Sequence, residues 1–336
     1  MAALAMYRLP NEVQVTRLVQ TEGEPEQLQS VAELNGKEGF VIAPFAVSGE
    51  CPVLLMHPDC VSQFAVSERL DVSDEEMPSK EDEKAHYAHD FGCFHEELEK
   101  GAFRKIVLAR CSHVDAAVSS AEELFLRACR LYPRLFVALV SAPQSGTWLM
   151  ATPEVLLSGE DGDFSTMALA GTQKSPEWSE KNREEQQYVT DYIERCVKGF
   201  ADGYTLNGPY TTMAAHLYHL RTDIQFRLSD THRLGDVLER LYPTPAVCGI
   251  PKAETREFIL KNEHRPRKYY SGFVGPISPE GKTALFVSLR CMNILPDGSC
   301  HLYAGGGLLK ESEMEKEWAE TETKMQTIKR VLILNK

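Results

Sequence analysis

One stretch near the C-terminus constrains the fold more than any other: LYAGGGLLKESEMEKEWAETETK, from Leu302 to Lys324. A short strand runs into Gly305, Gly306 and Gly307, and a helix follows. Ser312 with Glu315 three residues on reads as a capping box, which starts the helix near Ser312. Met314, Trp318, Thr321, Met325, Ile328 and Leu332 recur at three-and-four spacing, the buried stripe of an amphipathic helix. Glu317, Glu320 and Lys324 make a second stripe that faces the bare glycines. Two carboxylates and an ammonium in one place suit a metal ion and an anionic ligand. A solvated charged face with an i,i+4 pair from Glu320 to Lys324 is the plainer reading of the same residues, since charged helix faces are usually just solvated.

The remaining chain supplies sheets for this helix to pack on. GFVIAPF and CPVLLM, within residues 1–70, read as strands, and the acidic segment Asp71 to Lys84 with Pro78 as an exposed, mobile connection. His86 to Lys100 is helical. RKIVLARC (104–111) is a strand with Ile106 and Leu108 on one face and Lys105 and Val107 on the other. Ser119 or Ser120 caps a helix that runs to Tyr132, and LFVALVS and TWLMATP are two further strands. An Asp-Gly pair marks a hairpin between a strand that Glu154 starts and one that Gly171 and Thr172 end.

A long helix from Glu180 to Phe200 buries Val189, Tyr192, Ile193, Cys196, Val197 and Phe200. Glu185 shares that face, and an inward carboxylate needs a partner, with an arginine as the plain expectation. Pro251 fits the first turn of another helix. YSGFVGPI, TALFVSLRCMNIL and SCHLYAG then read as three antiparallel strands joined by tight turns. The expected fold is α+β, with large antiparallel sheets packed together and flanked by helices, in one domain over residues 1–336. The GGG run lacks the GxGxxG spacing and parallel crossover of a dinucleotide fold, and no GKS/T phosphate loop is present.

Charge narrows the partners. The net charge of -13 argues against nucleic acid or an anionic membrane, since phosphate backbones attract basic surfaces. A small anion feels only its local pocket and is not excluded. Nine cysteines without a CxxC pair or zinc-like spacing suit a reduced, cytoplasmic chain. The N-terminus has no signal-peptide pattern, and no apolar run approaches the ~20 residues of a membrane span.

Over residues 103–330 the order and spacing of several motifs resemble the chorismate-utilising enzymes. KIVLAR, TPEVLL, LAGT, the EKNREEQ helix, HL at 219–220, PTPAVCGIPKA, YSGFVGP, SLR and the C-terminal glycine–helix stretch carry the resemblance. It implies that Glu185 and Glu320 hold Mg²⁺, with Glu317 beside them; oxygen ligands suit this hard cation. Tyr270 and Arg290 match the pair that grips the enolpyruvyl carboxylate, where a guanidinium fork binds bidentately. Lys324 and the backbone near Gly305 and Gly307 match further anion contacts, and Gly171, Thr172 and His219 match other pocket residues. With the resemblance, the metal and anion reading of the second stripe displaces the solvated one.

Fewer positions decide the reaction. Lys105 matches a general base acting on water, which requires it to lose its proton. Glu154 matches the general acid that protonates the departing 4-hydroxyl, which requires a raised pKa. Water entering at ring C2 with loss of the C4 hydroxyl makes the implied activity isochorismate synthase, an isomerase. Ala170 stands where aminodeoxychorismate synthases carry a nucleophilic lysine, and Ala246 resembles isochorismate synthases. Salicylate synthase, sharing the first step and then eliminating pyruvate, is the alternative; a non-catalytic chorismate-binding homologue is another. The implied partner is chorismate, with no glutamine amidotransferase subunit, and the expected state is a monomer. The product could feed menaquinone, siderophore or salicylate synthesis. The chain departs from the family at Gln186 (commonly His), Tyr242 (His), Gln173 (Arg), Gly306 (Ala) and Pro276 (Trp), and its segment before the 103–330 core, residues 1–84 above all, is shortened.

Overall fold

The structure is a computed structural model that describes residues 2–71, 76–77, 79–214 and 217–333. Among the described residues, eighteen strands, numbered in chain order, form two nine-stranded sheets. The first runs from edge to edge as β14 (Gly249–Ile250), β7 (Lys105–Val114), β18 (Cys300–Leu308), β17 (Cys291–Ile294), β9 (Gly146–Thr152), β8 (Phe136–Ala142), β1 (Ala3–Arg8), β2 (Gln14–Gln20) and β6 (Cys60–Ala65). The second runs as β12 (Ala201–Ala214), β13 (Leu217–Leu228), β11 (Asp163–Gln173), β10 (Val155–Glu160), β16 (Thr283–Val287), β15 (Phe273–Ile277), β4 (Gly39–Ala43), β5 (Val53–Met56) and β3 (Glu26–Leu28). The pairings are antiparallel throughout.

The sheets pack face to face, as alternation of apolar and polar residues along antiparallel strands allows. Between them lie Ala5, Phe40, Ile42, Phe136, Ala138, Trp148, Val274 and Phe286. The rings of Phe136 and Phe286 stack in parallel 4.0 Å apart, one from each sheet. Helices cover the outer faces. Helices α2 (Ala121–Leu131) and α6 (Met314–Leu332) close the first sheet, while α3 (Glu180–Val197) and α4 (Leu234–Leu241) close the second. Helices α1 (Glu81–Glu99) and α5 (Lys252–Asn262) cover the β7 end.

Three expectations need correction. Helix α6 begins at Met314 after Glu313, which makes no side-chain cap. Ser312 Oγ instead accepts from Leu309 N at 3.0 Å, and Glu315 pairs outward with Lys84, so no capping box forms. Of the acidic 71–84 connection, residues 72–75 and 78 lie outside the described residues. The described part is not a free tether: Ser79 donates to Glu322 and accepts from Lys329 and Arg110, all on or against α6. Finally, TALFVSLRCMNIL is not one strand. It forms β16 in the second sheet and β17 in the first, and the chain changes sheets at Ser288 to Arg290. Arg290 takes φ 47° there, a left-handed conformation that a non-glycine residue adopts only where its surroundings impose it.

Candidate active site

The strand β18 and the helix α6 that follows it form one wall of the site. A Cβ on Gly307 would overlap Glu185 Oε1 and stand 2.7 Å from Lys105 Cε, and one on Gly305 would stand 2.8 Å from Tyr270 Oη. Only glycine leaves room for those groups. On Gly306 the same Cβ would lie 3.4 Å from Glu317 Oε2 and 3.7 Å from Glu320 Oε1. The glycine run is therefore the surface against which carboxylates from α3 and α6 are set.

A cavity opens beside this wall. It is lined by Glu154, Gly171, Glu185, His219, Ala246, Tyr270, Arg290, Gly305, Gly307, Glu320 and Lys324, together with apolar Val107, Leu169, Val247, Leu289 and Ala304. The structure thus brings together most of the residues singled out from sequence. Glu317 stands behind Gly306 and is not part of the cavity surface. Thr172 belongs to β11, but its side chain lies outside the described residues. Lys105 also stops short of the lining. It is 0% exposed, and its Nζ lies 2.9 Å from Glu185 Oε1 on the cavity wall, close enough for an ion pair though out of line for a good hydrogen bond. The partner of Glu185 is this lysine rather than an arginine.

Each carboxylate at the glycine wall is matched by a lysine. Glu185 meets Lys105, Glu320 meets Lys324 at 2.7 Å, and Glu317 meets Lys181. Lys324 also donates to Gly305 O at 2.9 Å, so at Gly305 the backbone offers an acceptor as well as N–H. Burial pushes the Glu317 carboxyl up, and the nearby charge of Glu320 adds to it. For Glu185 burial acts in the same direction, but Lys105 and Lys181 outweigh it and hold the carboxyl down. Glu154 faces different surroundings. Burial raises its carboxyl to about 7, against the smaller opposing pull of Lys105, Lys324 and Arg290. Burial likewise pushes Arg290 down to about 10; its Nη1 donates to Thr327 Oγ1 at 3.3 Å.

His219 Nδ1 is 2.9 Å from Gly171 O. That glycine has φ 66° at a bulge in β11, and Trp178 lies over it.

Among the described residues, no three His, Cys, Asp or Glu side chains stand as a ready metal cluster. The donor set nevertheless fits a hard divalent cation. Three carboxylates converge on a side-chain-free strand, and the buried Glu317 Oε2 has no hydrogen-bond partner of good geometry. Lys181 was not foreseen from the sequence. Its position one helical turn before Glu185, on the same face, is the signal that marks it.

Two packed antiparallel sheets with an acid- and lysine-walled cavity at a glycine strand define the class of protein. The family described as "Chorismate binding enzyme" matches residues 59–333, and the chain belongs to it. Isochorismate synthase MenF of Escherichia coli (strain K12) is 30% identical over 253 residues, covering 70% of this chain and 57% of the relative. The salicylate biosynthesis isochorismate synthase of Pseudomonas aeruginosa is 32% identical over 199 residues, covering 55% of this chain and 42% of the relative. The chain thus spans about half the length of these curated relatives. The solved structure of MenF, the menaquinone-specific isochorismate synthase from Escherichia coli, superposes with a TM-score of 0.81 at 20% identity, over 98% of this chain and 89% of that one, and shows the same fold. No described helix is long and apolar enough to cross a membrane.

Proposed function

We propose that the chain is an isochorismate synthase that interconverts chorismate and isochorismate with Mg²⁺. The observation that carries this reading is Glu154: a cavity-facing carboxyl raised to about 7, beside a wall that offers a buried lysine and a set of carboxylates. A carboxylic acid that keeps its proton near neutrality can deliver it to a leaving hydroxyl.

Arg290 and Tyr270 bind the enolpyruvyl carboxylate, and Lys324 adds positive charge at Gly305. Glu185 and Glu320, with Glu317 beside them, would hold Mg²⁺, whose charge would offset that of the ring carboxylate. Lys105 takes a proton from water as the oxygen bonds to C2, and Glu185 is in place to hold the ammonium that results. Glu154 gives its proton to the C4 oxygen, which departs as water as the ring double bonds shift. One proton is taken and one given, so the reaction is balanced and reversible. Val107, Leu169, Val247 and Leu289 line the same space and keep bulk water from the ring.

Purified chain incubated with chorismate and Mg²⁺, followed by chromatography, tests the proposal. Isochorismate should accumulate to a fixed ratio with chorismate, and the same ratio should be reached from isochorismate. Salicylate with stoichiometric pyruvate would make the chain a salicylate synthase instead. Binding of chorismate without turnover would leave a non-catalytic homologue.

A further inference from the structure

Lys181 lies four residues before Glu185, so both side chains leave the same face of α3. Its ammonium pairs with Glu317 Oε1 on α6 and stands within electrostatic reach of Glu185 and Glu320. Glu317 is only 2% exposed. One of its oxygens is taken by Lys181. The other, Oε2, has no hydrogen-bond partner of good geometry, although the Ser312 hydroxyl stands near the same carboxylate, and it lies toward Gly306, where Glu320 Oε1 also lies. A buried acceptor left unpaired is unfavourable, so something must hold it in that orientation.

The three lysines do not act alike. Lys105 and Lys324 pair with Glu185 Oε1 and Glu320 Oε1, the oxygens that lie against the glycine strand. A cation entering there competes with them. Lys181 takes the oxygen of Glu317 that leaves Oε2 free beside Gly306, and nothing requires it to yield.

We propose that Lys181 is a positioning residue for the divalent-cation site. By holding Glu317 Oε1 it aims Glu317 Oε2 at the space that Glu320 flanks, and by bridging α3 to α6 it sets the spacing of the two helices that carry the site's carboxylates. The inference rests on the Mg²⁺ reading above. Two effects oppose each other: the ammonium repels an incoming cation, and it also orients a ligand. Orientation wins because the ammonium is already paired with Glu317 Oε1, and because without Lys181 a buried Glu317 beside Glu320 loses its main counter-charge. Groups that orient metal ligands in this way commonly affect affinity by about 10–100-fold.

Isothermal titration of Mg²⁺ into the full-length protein, without chorismate, tests this. Lys181→Met and Lys181→Gln should each weaken Mg²⁺ binding by about 10–100-fold, while Lys181→Arg, which keeps the charge and can still donate, should stay within about threefold of wild type. The rise in melting temperature on adding Mg²⁺ should shrink in the two neutral variants and persist in the Arg variant. Unchanged or tighter binding in either neutral variant, with a wild type that binds, would overturn the role of Lys181 alone. A wild type that takes up no Mg²⁺ would overturn the metal reading and this inference with it.

Discussion

Adjacent glycines of the 305–307 run should respond to the same substitution in opposite ways. Gly307→Ala places a methyl group on top of Glu185 Oε1 and 2.7 Å from Lys105 Cε. Neither neighbour is the loose end of an exposed side chain, since Lys105 is 0% and Glu185 9% exposed. Overpacking of this kind typically costs about 1–3 kcal/mol. The larger effect falls on chemistry: the methyl group must push the Lys105–Glu185 pair by about an ångström, and displacement on that scale costs about 10²-fold in rate. Gly306→Ala is the control. Its methyl group meets Glu317 Oε2 at 3.4 Å and Glu320 Oε1 at 3.7 Å, close to ordinary contact. Replacing glycine where the backbone already suits alanine changes stability by only about 0.4–1 kcal/mol. Chorismate turnover and thermal melts of both variants, side by side with wild type, read the two quantities. A Gly307→Ala enzyme within about threefold of wild type, or a Gly306→Ala enzyme that is the worse of the two, would refute this account of the glycine wall.

Glu154→Gln should lower turnover by about 10²–10⁴-fold with chorismate still bound, as measured by steady-state kinetics and calorimetry. In the wild type, turnover should decline as pH rises past about 7, where Glu154 loses the proton it must deliver; a rate that stays flat to pH 9 would remove Glu154 as the acid. The same carboxyl is linked to stability. Its folded value lies above its unfolded one, so its contribution is complete below about 4.5 and is lost as pH rises through about 7, which denaturant melts at pH 5 and pH 8 should show in the wild type and not in Glu154→Gln. Arg290→Ala should weaken chorismate binding by about 2–5 kcal/mol with the fold retained by circular dichroism; an unchanged KM would make Arg290 a residue of the sheet crossing only.

One wall of the site was legible in the residues themselves, as bare glycines and as acids on the faces of α3 and α6; Lys105, Glu154, His219, Tyr270 and Arg290 entered only through the resemblance to the chorismate-utilising enzymes. What escaped has physical reasons. TALFVSLRCMNIL is uniformly apolar, and such a run gives no sign that its two halves lie in different sheets. The break at Arg290 depends on tertiary packing. The hairpin of β12 and β13 gives little sequence signal because β12 is an edge strand with exposed Leu206, Tyr210 and Met213, and lacks clean alternation. Ser312 and Glu315 have the spacing of a capping box, but Leu309 N takes the hydroxyl first. Lys181 was passed over because a lysine on a helix ordinarily reaches solvent, and only packing against α6 turns it toward Glu317.

The departures from the family divide by where they sit. Gln186 follows the carboxylate Glu185 on α3, but its amide turns away from the cavity and donates to Ala168 O and Thr222 Oγ1, both at 3.1 Å. It fastens the helix to β11 and β13. The Tyr242 hydroxyl lies 2.8 Å from Pro44 O and 2.9 Å from Ser271 O, tying the end of α4 to the loop before β15. Gln173 donates to Asn182 Oδ1 at the start of α3, and Pro276 sits in β15 opposite Phe40. These four positions act on how elements are joined, a task that several side chains can perform. Gly306 is different, because the space it leaves borders Glu317 and Glu320 directly. On the Mg²⁺ reading, a carboxylate pair with extra room would admit a better-hydrated or larger cation, so a metal preference differing from that of the relatives would trace to Gly306 before the other four.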